Sequence, residues 1–153
     1  LTSKSTPSAL VLTRQNLTVE EGTAFDKVAK GAYVVYEATG FDTILLASGS
    51  EVNLAVKAAK ELEAAGTKVR VVSVPSTELF DAQDAAYKEE ILPNTNRRRL
   101  AIEMGATQSW YKYVGLDGKV LGIDTFGASA PAQTVIDNYG FTVENVVKLV
   151  GEL

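Results

Sequence analysis

The chain has 153 residues, the size of one domain or of one domain with a tail, and 46% of them are hydrophobic, enough to bury a core. Its 15 Lys and Arg against 19 Asp and Glu leave a net charge of -4, which argues against a nucleic-acid binder, since that needs a basic face to neutralise phosphates. There is no Cys, hence no disulfide, thiolate nucleophile or Cys-ligated metal, and no His, the usual acid/base group near neutral pH.

In chain order, a polar lead "TSKSTPS" precedes an apolar run that predicts a strand at Ala9–Thr13, ending at Arg14. Glu20 to Gly31 reads as a charged connector with room for a helical turn at Ala24–Lys30. Tyr33–Tyr36 is β-branched and aromatic, as strands are. Thr43–Ala47, "TILLA", is continuously apolar, as expected of a parallel strand covered on both faces. A helix follows, with Val52, Ala55, Val56, Ala59 and Leu62 at helical spacing and Gly66 as its left-handed stop. Ser48 and Glu51 fit a capping box, with Ser50 as the alternative cap. Val69–Val74 is the next strand, closed by Pro75, and completes a βαβ unit.

Asp81–Leu92 predicts a helix ended by Pro93, and Arg99–Glu103 a third buried strand. The triplet Arg97-Arg98-Arg99 reads as a solvated loop entering that strand. Thr107–Val114 carries Trp110, Tyr111 and Tyr113 on a short helix. Asp117-Gly118 marks a turn, and Val120–Ile123 a short strand. Pro131 opens a helix running to Tyr139 and stopped by Gly140. Thr142 caps the last helix, whose Val143, Val146, Val147 and Val150 form one apolar stripe. No apolar run approaches the ~20 residues of a membrane span, and the N-terminus lacks the pattern of a signal peptide. The expectation is therefore a cytoplasmic chain with no membrane partner. Its start at Leu1 rather than Met suggests an excised piece of something longer. The fold class predicted is an α/β/α sandwich in three layers, with a mostly parallel sheet of about five strands.

Four stretches could carry chemistry. Arg14 offers a permanently charged planar fork suited to phosphate or carboxylate, and strand C-termini are where open α/β sheets place ligands. An exposed or ion-paired arginine is the plainer reading of that residue alone. "ASGSEV", Ala47–Val52, could hold an anion on the backbone N–H groups around Ser48, Gly49 and Ser50, or be an ordinary strand-to-helix turn. Glu103, Gly105 and the aromatics after them could be a catalytic acid in an aromatic setting; an interface or core cluster is favoured, and of these an interface. "DTFGASAP", Asp124–Pro131, with Gly127 and Ser129, is an anion loop or simply a loop closed by an N-terminal proline. No spacing matches a metal site or a Ser/His/Asp triad.

Taken in order, "ALVLTRQNL", "ILLASGSEVNLAVKAAKEL", "VRVVSVPSTELFDAQ", "WYKYVG", "FGASAPA" and "YGFTVENVV" give the chain a resemblance to the C-terminal end of transketolases along essentially its whole length. Glu103-Met104-Gly105 stands where the family commonly reads Glu-Ala-Gly. The resemblance implies residues 1–19 as the tail of a pyrimidine-binding domain, 20–31 as a connector and 32–153 as the third domain. It further implies a homodimeric enzyme that transfers a two-carbon ketol unit between sugar phosphates in the pentose phosphate pathway, using thiamine diphosphate and a magnesium or calcium ion. Arg14 is then the contact to the sugar phosphate. No catalytic, cofactor-binding or metal-binding residue falls in this chain, so the piece alone is expected to be inactive and to act with the remaining domains. The motifs leave open close relatives such as dihydroxyacetone synthase, the equivalent domain of another thiamine diphosphate enzyme, and a free-standing anion-binding or regulatory module.

Overall fold

The computed structural model describes residues 4–153. Its centre is β2, Thr43–Ala47, whose five residues are all buried. β2 lies between two parallel strands, β3 (Val69–Ser73) and β4 (Arg98–Ile102), with Leu45 opposite both Val71 and Leu100. A strand with neighbours on both edges and helices on both faces has no polar side, which is why "TILLA" does not alternate. β5 (Lys119–Leu121) extends the sheet in parallel beyond β4, and β1 (Tyr33–Glu37) pairs antiparallel with β3. The strand order is β1-β3-β2-β4-β5.

Alternate residues of the strands feed two cores. Leu45, Val71, Leu100 and Ile102 pack with α2 (Glu51–Ala64) and with the C-terminal α7 (Val143–Gly151) through Ala55, Ala59, Leu62, Val146 and Val150. Ile44, Leu46, Val72 and Ala101 pack on the opposite face with Phe80, Ile91, Trp110 and Tyr113. Those four come from α3 (Thr77–Asp81), α4 (Ala85–Ile91), a 3₁₀ turn (Thr107–Trp110) and α5 (Tyr111–Val114). The remaining helices are α1 (Phe25–Val28) and α6 (Ala132–Asn138). The α/β/α sandwich with a mostly parallel five-stranded sheet is thus as expected.

Local signals act as read in several places. Thr142 accepts the N–H of Asn145 at the start of α7, and Gly66 and Gly140 adopt positive φ after their helices. Of the helix expected over Asp81–Leu92, Ala85–Ile91 forms as α4, while Asp81 instead ends the separate helix α3. Ser76 caps α3 through the N–H of Leu79, and Asp84 starts α4 anew by accepting the N–H of Tyr87 at 2.8 Å. The Asp84 side chain, as a cap, fixes the later start of α4.

The strand expected at Ala9–Thr13 does not form; Leu10, Val11 and Leu12 are exposed. An apolar strand needs a sheet edge to join. The connector lies against one of the two edge strands, β1, with Gly22 packed on the backbone of Val35 so closely that a Cβ there would sit 1.9 Å from the Val35 carbonyl oxygen.

Candidate functional site

In an open α/β sheet the crevice at the carboxyl ends of the strands, where the chain reverses its direction of winding, is the usual ligand position. Here that point lies between β2 and β4, since β2 leads to β3 on one side and the chain then crosses to β4 on the other. The residues that follow these strands are Ser48 and Glu103. The Ser48 hydroxyl donates to the Glu103 carboxylate at 2.7 Å, so the expected capping box with Glu51 does not form. Only the Ser48 carbonyl takes part at the helix start, accepting the N–H of Glu51 at 3.1 Å. Ser50 occupies the cap position without a side-chain cap bond, because its hydroxyl donates to the Glu51 carboxylate at 2.5 Å.

Glu51 is 4% exposed. Burial pushes its carboxyl above the ordinary range; the Ser50 hydroxyl opposes this, the charge of Glu103 adds to it, and a backbone bond from Met104 opposes it again. An anion at "ASGSEV" would meet two carboxylates, and both serine hydroxyls are already committed to them. Among the described residues, no group of three or more His, Cys, Asp or Glu side chains could hold a metal ion.

Beside this end of the sheet runs a groove of about 930 Å³. One wall is the segment Gln15–Thr18. The facing residues include Ser50, Glu51 and Asn53 of the α2 end, Gln133 of α6 and Phe141 before α7. Arg14 does not line it; its side chain is exposed and has no hydrogen bond or ion pair among the described residues. From Lys4 to Val19 every residue is exposed, and Glu20 is the first that is not. Its carboxylate accepts a hydrogen bond from the Asn53 side-chain amide.

The aromatic stretch points mostly inward. Trp110 and Tyr113 are buried with their ring centroids 6.1 Å apart, and Tyr113 lies 6.1 Å from Phe80. The Tyr113 hydroxyl donates to Asp81 at 3.0 Å, and Lys112 pairs with the same carboxylate. Only Tyr111 is exposed, so the expected interface cluster is chiefly core. In the fourth stretch, Asp124 accepts the N–H and the hydroxyl of Thr107 at 2.9 and 2.8 Å, while Gly127 and Ser129 are exposed. The basic triplet is likewise structural in part. Arg99 donates to the carbonyls of Asn96, Tyr113, Leu92 and Pro93 at 2.7–3.1 Å, closing the start of β4.

Residues 31–142 match the family model for the transketolase-like C-terminal domain. The chain belongs to the transketolase C-terminal domain family. This transketolase domain is 76% identical over 154 residues to the probable transketolase of Streptococcus pneumoniae, covering 100% of this chain and 23% of that protein. It is 54% identical to transketolase 1 of Vibrio parahaemolyticus, covering 98% of this chain and 23% of that one. Among solved structures it is similar to transketolase from Leishmania mexicana, with 40% identity, a TM-score of 0.84, and 92% of this chain and 20% of that chain covered. Pichia stipitis transketolase in complex with sedoheptulose 7-phosphate gives 38% identity and a TM-score of 0.83, with 91% and 21% covered. The chain therefore spans less than a quarter of the length of these relatives. No helix among its described residues is long and apolar enough to cross a membrane.

Two features of the site escaped the sequence reading. The burial of Glu51 follows from a helix start tucked under the strand ends, and "SGSE" looks the same in an exposed turn. The Glu20–Asn53 contact joins residues 33 apart, and no local pattern announces it.

Proposed function

We propose that this chain is the C-terminal portion of a transketolase that transfers a two-carbon ketol unit between sugar phosphates with thiamine diphosphate and a divalent metal. The reading places that enzyme in the cytoplasm as a homodimer, in the pentose phosphate pathway. The observation that carries it is the correspondence along 100% of this chain with the probable transketolase of Streptococcus pneumoniae. The sugar phosphate bound in the Pichia stipitis relative supports the substrate class.

Thiamine diphosphate supplies the carbanion chemistry of such a reaction. The donor set of the described residues does not fit the metal that accompanies it, and no step is assigned to this chain through either group. The reading gives residues 32–153 a supporting role and residues 1–19 the end of the preceding domain, joined by the connector 20–31. Arg14 then holds the phosphate of the sugar. Its guanidinium is always charged, presents parallel N–H donors that match phosphate oxygens, and has no competing partner among the described residues.

The test is Arg14→Ala in the complete enzyme. A charged hydrogen-bonded contact is worth about 1.5–3 kcal/mol, so KM for phosphorylated sugars should rise about tenfold to a hundredfold while unphosphorylated ketoses change little. Equal losses on both substrate types would make Arg14 structural.

A further inference from the structure

We infer that Asn53, acting through Glu20, is a positioning residue for the Arg14–Gln15–Asn16 segment; the inference rests on the phosphate role of Arg14 proposed above. The chain from Lys4 to Val19 is exposed throughout, and none of its apolar residues is packed into either core. Glu20 is the first residue to be partly covered, and its side chain is tied to the amide of Asn53, in the first turn of α2.

The anchor is stiff on the domain side. Asn53 sits on a helix whose next residues, Ala55, Val56, Ala58 and Ala59, are buried against the sheet. On the chain side, Thr23 donates its N–H to the Glu20 carbonyl at 2.9 Å, closing a turn, and Gly22 fits against the Val35 backbone where no side chain would. Further along, the Gly31 carbonyl accepts the N–H of Ser76 at 3.1 Å. The connector is thus held at several points, and Glu20 is the one nearest Arg14 along the chain. The arm from Glu20 back to Arg14 spans at most roughly 20 Å when extended. Gln15–Thr18 of that arm already face α2 across the groove. In the reading above, residues 1–19 close the preceding domain, so the Glu20–Asn53 bond fixes where the end of that domain meets α2, and a bidentate phosphate contact tolerates little misplacement.

The test compares kcat/KM for a phosphorylated ketose with that for an unphosphorylated one in the complete enzyme, using five variants, Arg14→Ala alone among them. Asn53→Asp sets two carboxylates against each other, and the ratio should fall roughly threefold to tenfold. Glu20→Gln with Asn53→Asp exchanges donor and acceptor and should restore the ratio to within about twofold of the parent. Placed on Arg14→Ala, Asn53→Asp should have no further effect on the ratio. Glu20→Ala removes the same bond from the exposed side and serves if Asn53→Asp does not fold. A selective Arg14→Ala beside an unselective Asn53→Asp or Glu20→Ala overturns this inference alone. A reversed pair that fails to recover also overturns it. An unselective Arg14→Ala overturns the phosphate reading, and the inference with it.

Discussion

Ser48 at the end of β2 and Glu103 at the end of β4 are joined by a hydrogen bond of 2.7 Å across the carboxyl ends of two adjacent parallel strands. The place where an α/β sheet most readily takes a ligand is here bridged by the protein's own groups. The bridge also brings a carboxylate near the buried Glu51, whose proton affinity is raised by burial and by the charge of Glu103.

A dependence of stability on pH follows. An acid whose folded pKa lies above its unfolded value binds protons more tightly in the folded state, so stability falls as pH rises between the two values. Above both, the cost of burying the charge is fully present. Glu51→Gln keeps an acceptor for Ser50 and removes the charge. The variant should be more stable than the parent at neutral pH, and the advantage should shrink as pH falls toward the ordinary glutamate value of 4.5. Thermal unfolding of both proteins across that range is the measurement. A parent more stable than the variant at neutral pH would mean that the ionised carboxylate is a net stabiliser.

Two glycines separate backbone strain from steric conflict. Gly66 has φ +93°, and a Cβ there would meet nothing within 4 Å. Gly31 has φ +84°, and its Cβ would lie 2.2 Å from the backbone N of Phe80. Gly66→Ala should cost about 1 kcal/mol, the left-handed penalty alone, whereas Gly31→Ala should cost about 3 kcal/mol or more by adding overpacking. Denaturant midpoints of the two variants test this ordering, and equal losses would refute it.

Trp110 and Tyr111 are adjacent in sequence but differ in burial, at 4% and 54% exposed. Trp110→Ala should remove about 3–5 kcal/mol of stability from the chain itself, with no partner present, because it empties the part of the core that the indole fills beside Tyr113. Tyr111→Ala should stay within about 0.5 kcal/mol. A Trp110 variant that unfolds like the parent would return the tryptophan to an interface role.

The regular parts of the fold were legible because their causes are local or periodic. A five-residue run with no polar member after its first threonine announced the buried centre of a sheet, and four valines at helical spacing announced α7. What stayed hidden depends on tertiary placement. The run Leu10-Val11-Leu12 has the composition of a strand, yet nothing in that composition says whether an edge is available. The start of α4 at Ala85 rather than Asp81 required recognising Asp84 as a cap and Ser76 as the cap of a separate short helix. Ser48 reads as a cap because Glu51 is three residues away, while its actual partner, Glu103, is 55 away. β1 gave no sign that it would run against the other strands, since strand direction is not written in side-chain pattern.

The position of α7 in the chain governs how the domain emerges from the ribosome. Val146 and Val150 complete the core formed with Ala55, Ala59 and Leu62 of α2, and Arg98 at the start of β4 donates to the Val150 carbonyl at 3.3 Å. Strands and helices made earlier must wait for Val143–Gly151 before that face of the sheet is sealed. A nascent chain halted between β5 and α7 therefore displays an unsealed apolar face of α2, a surface suited to chaperone capture and to aggregation.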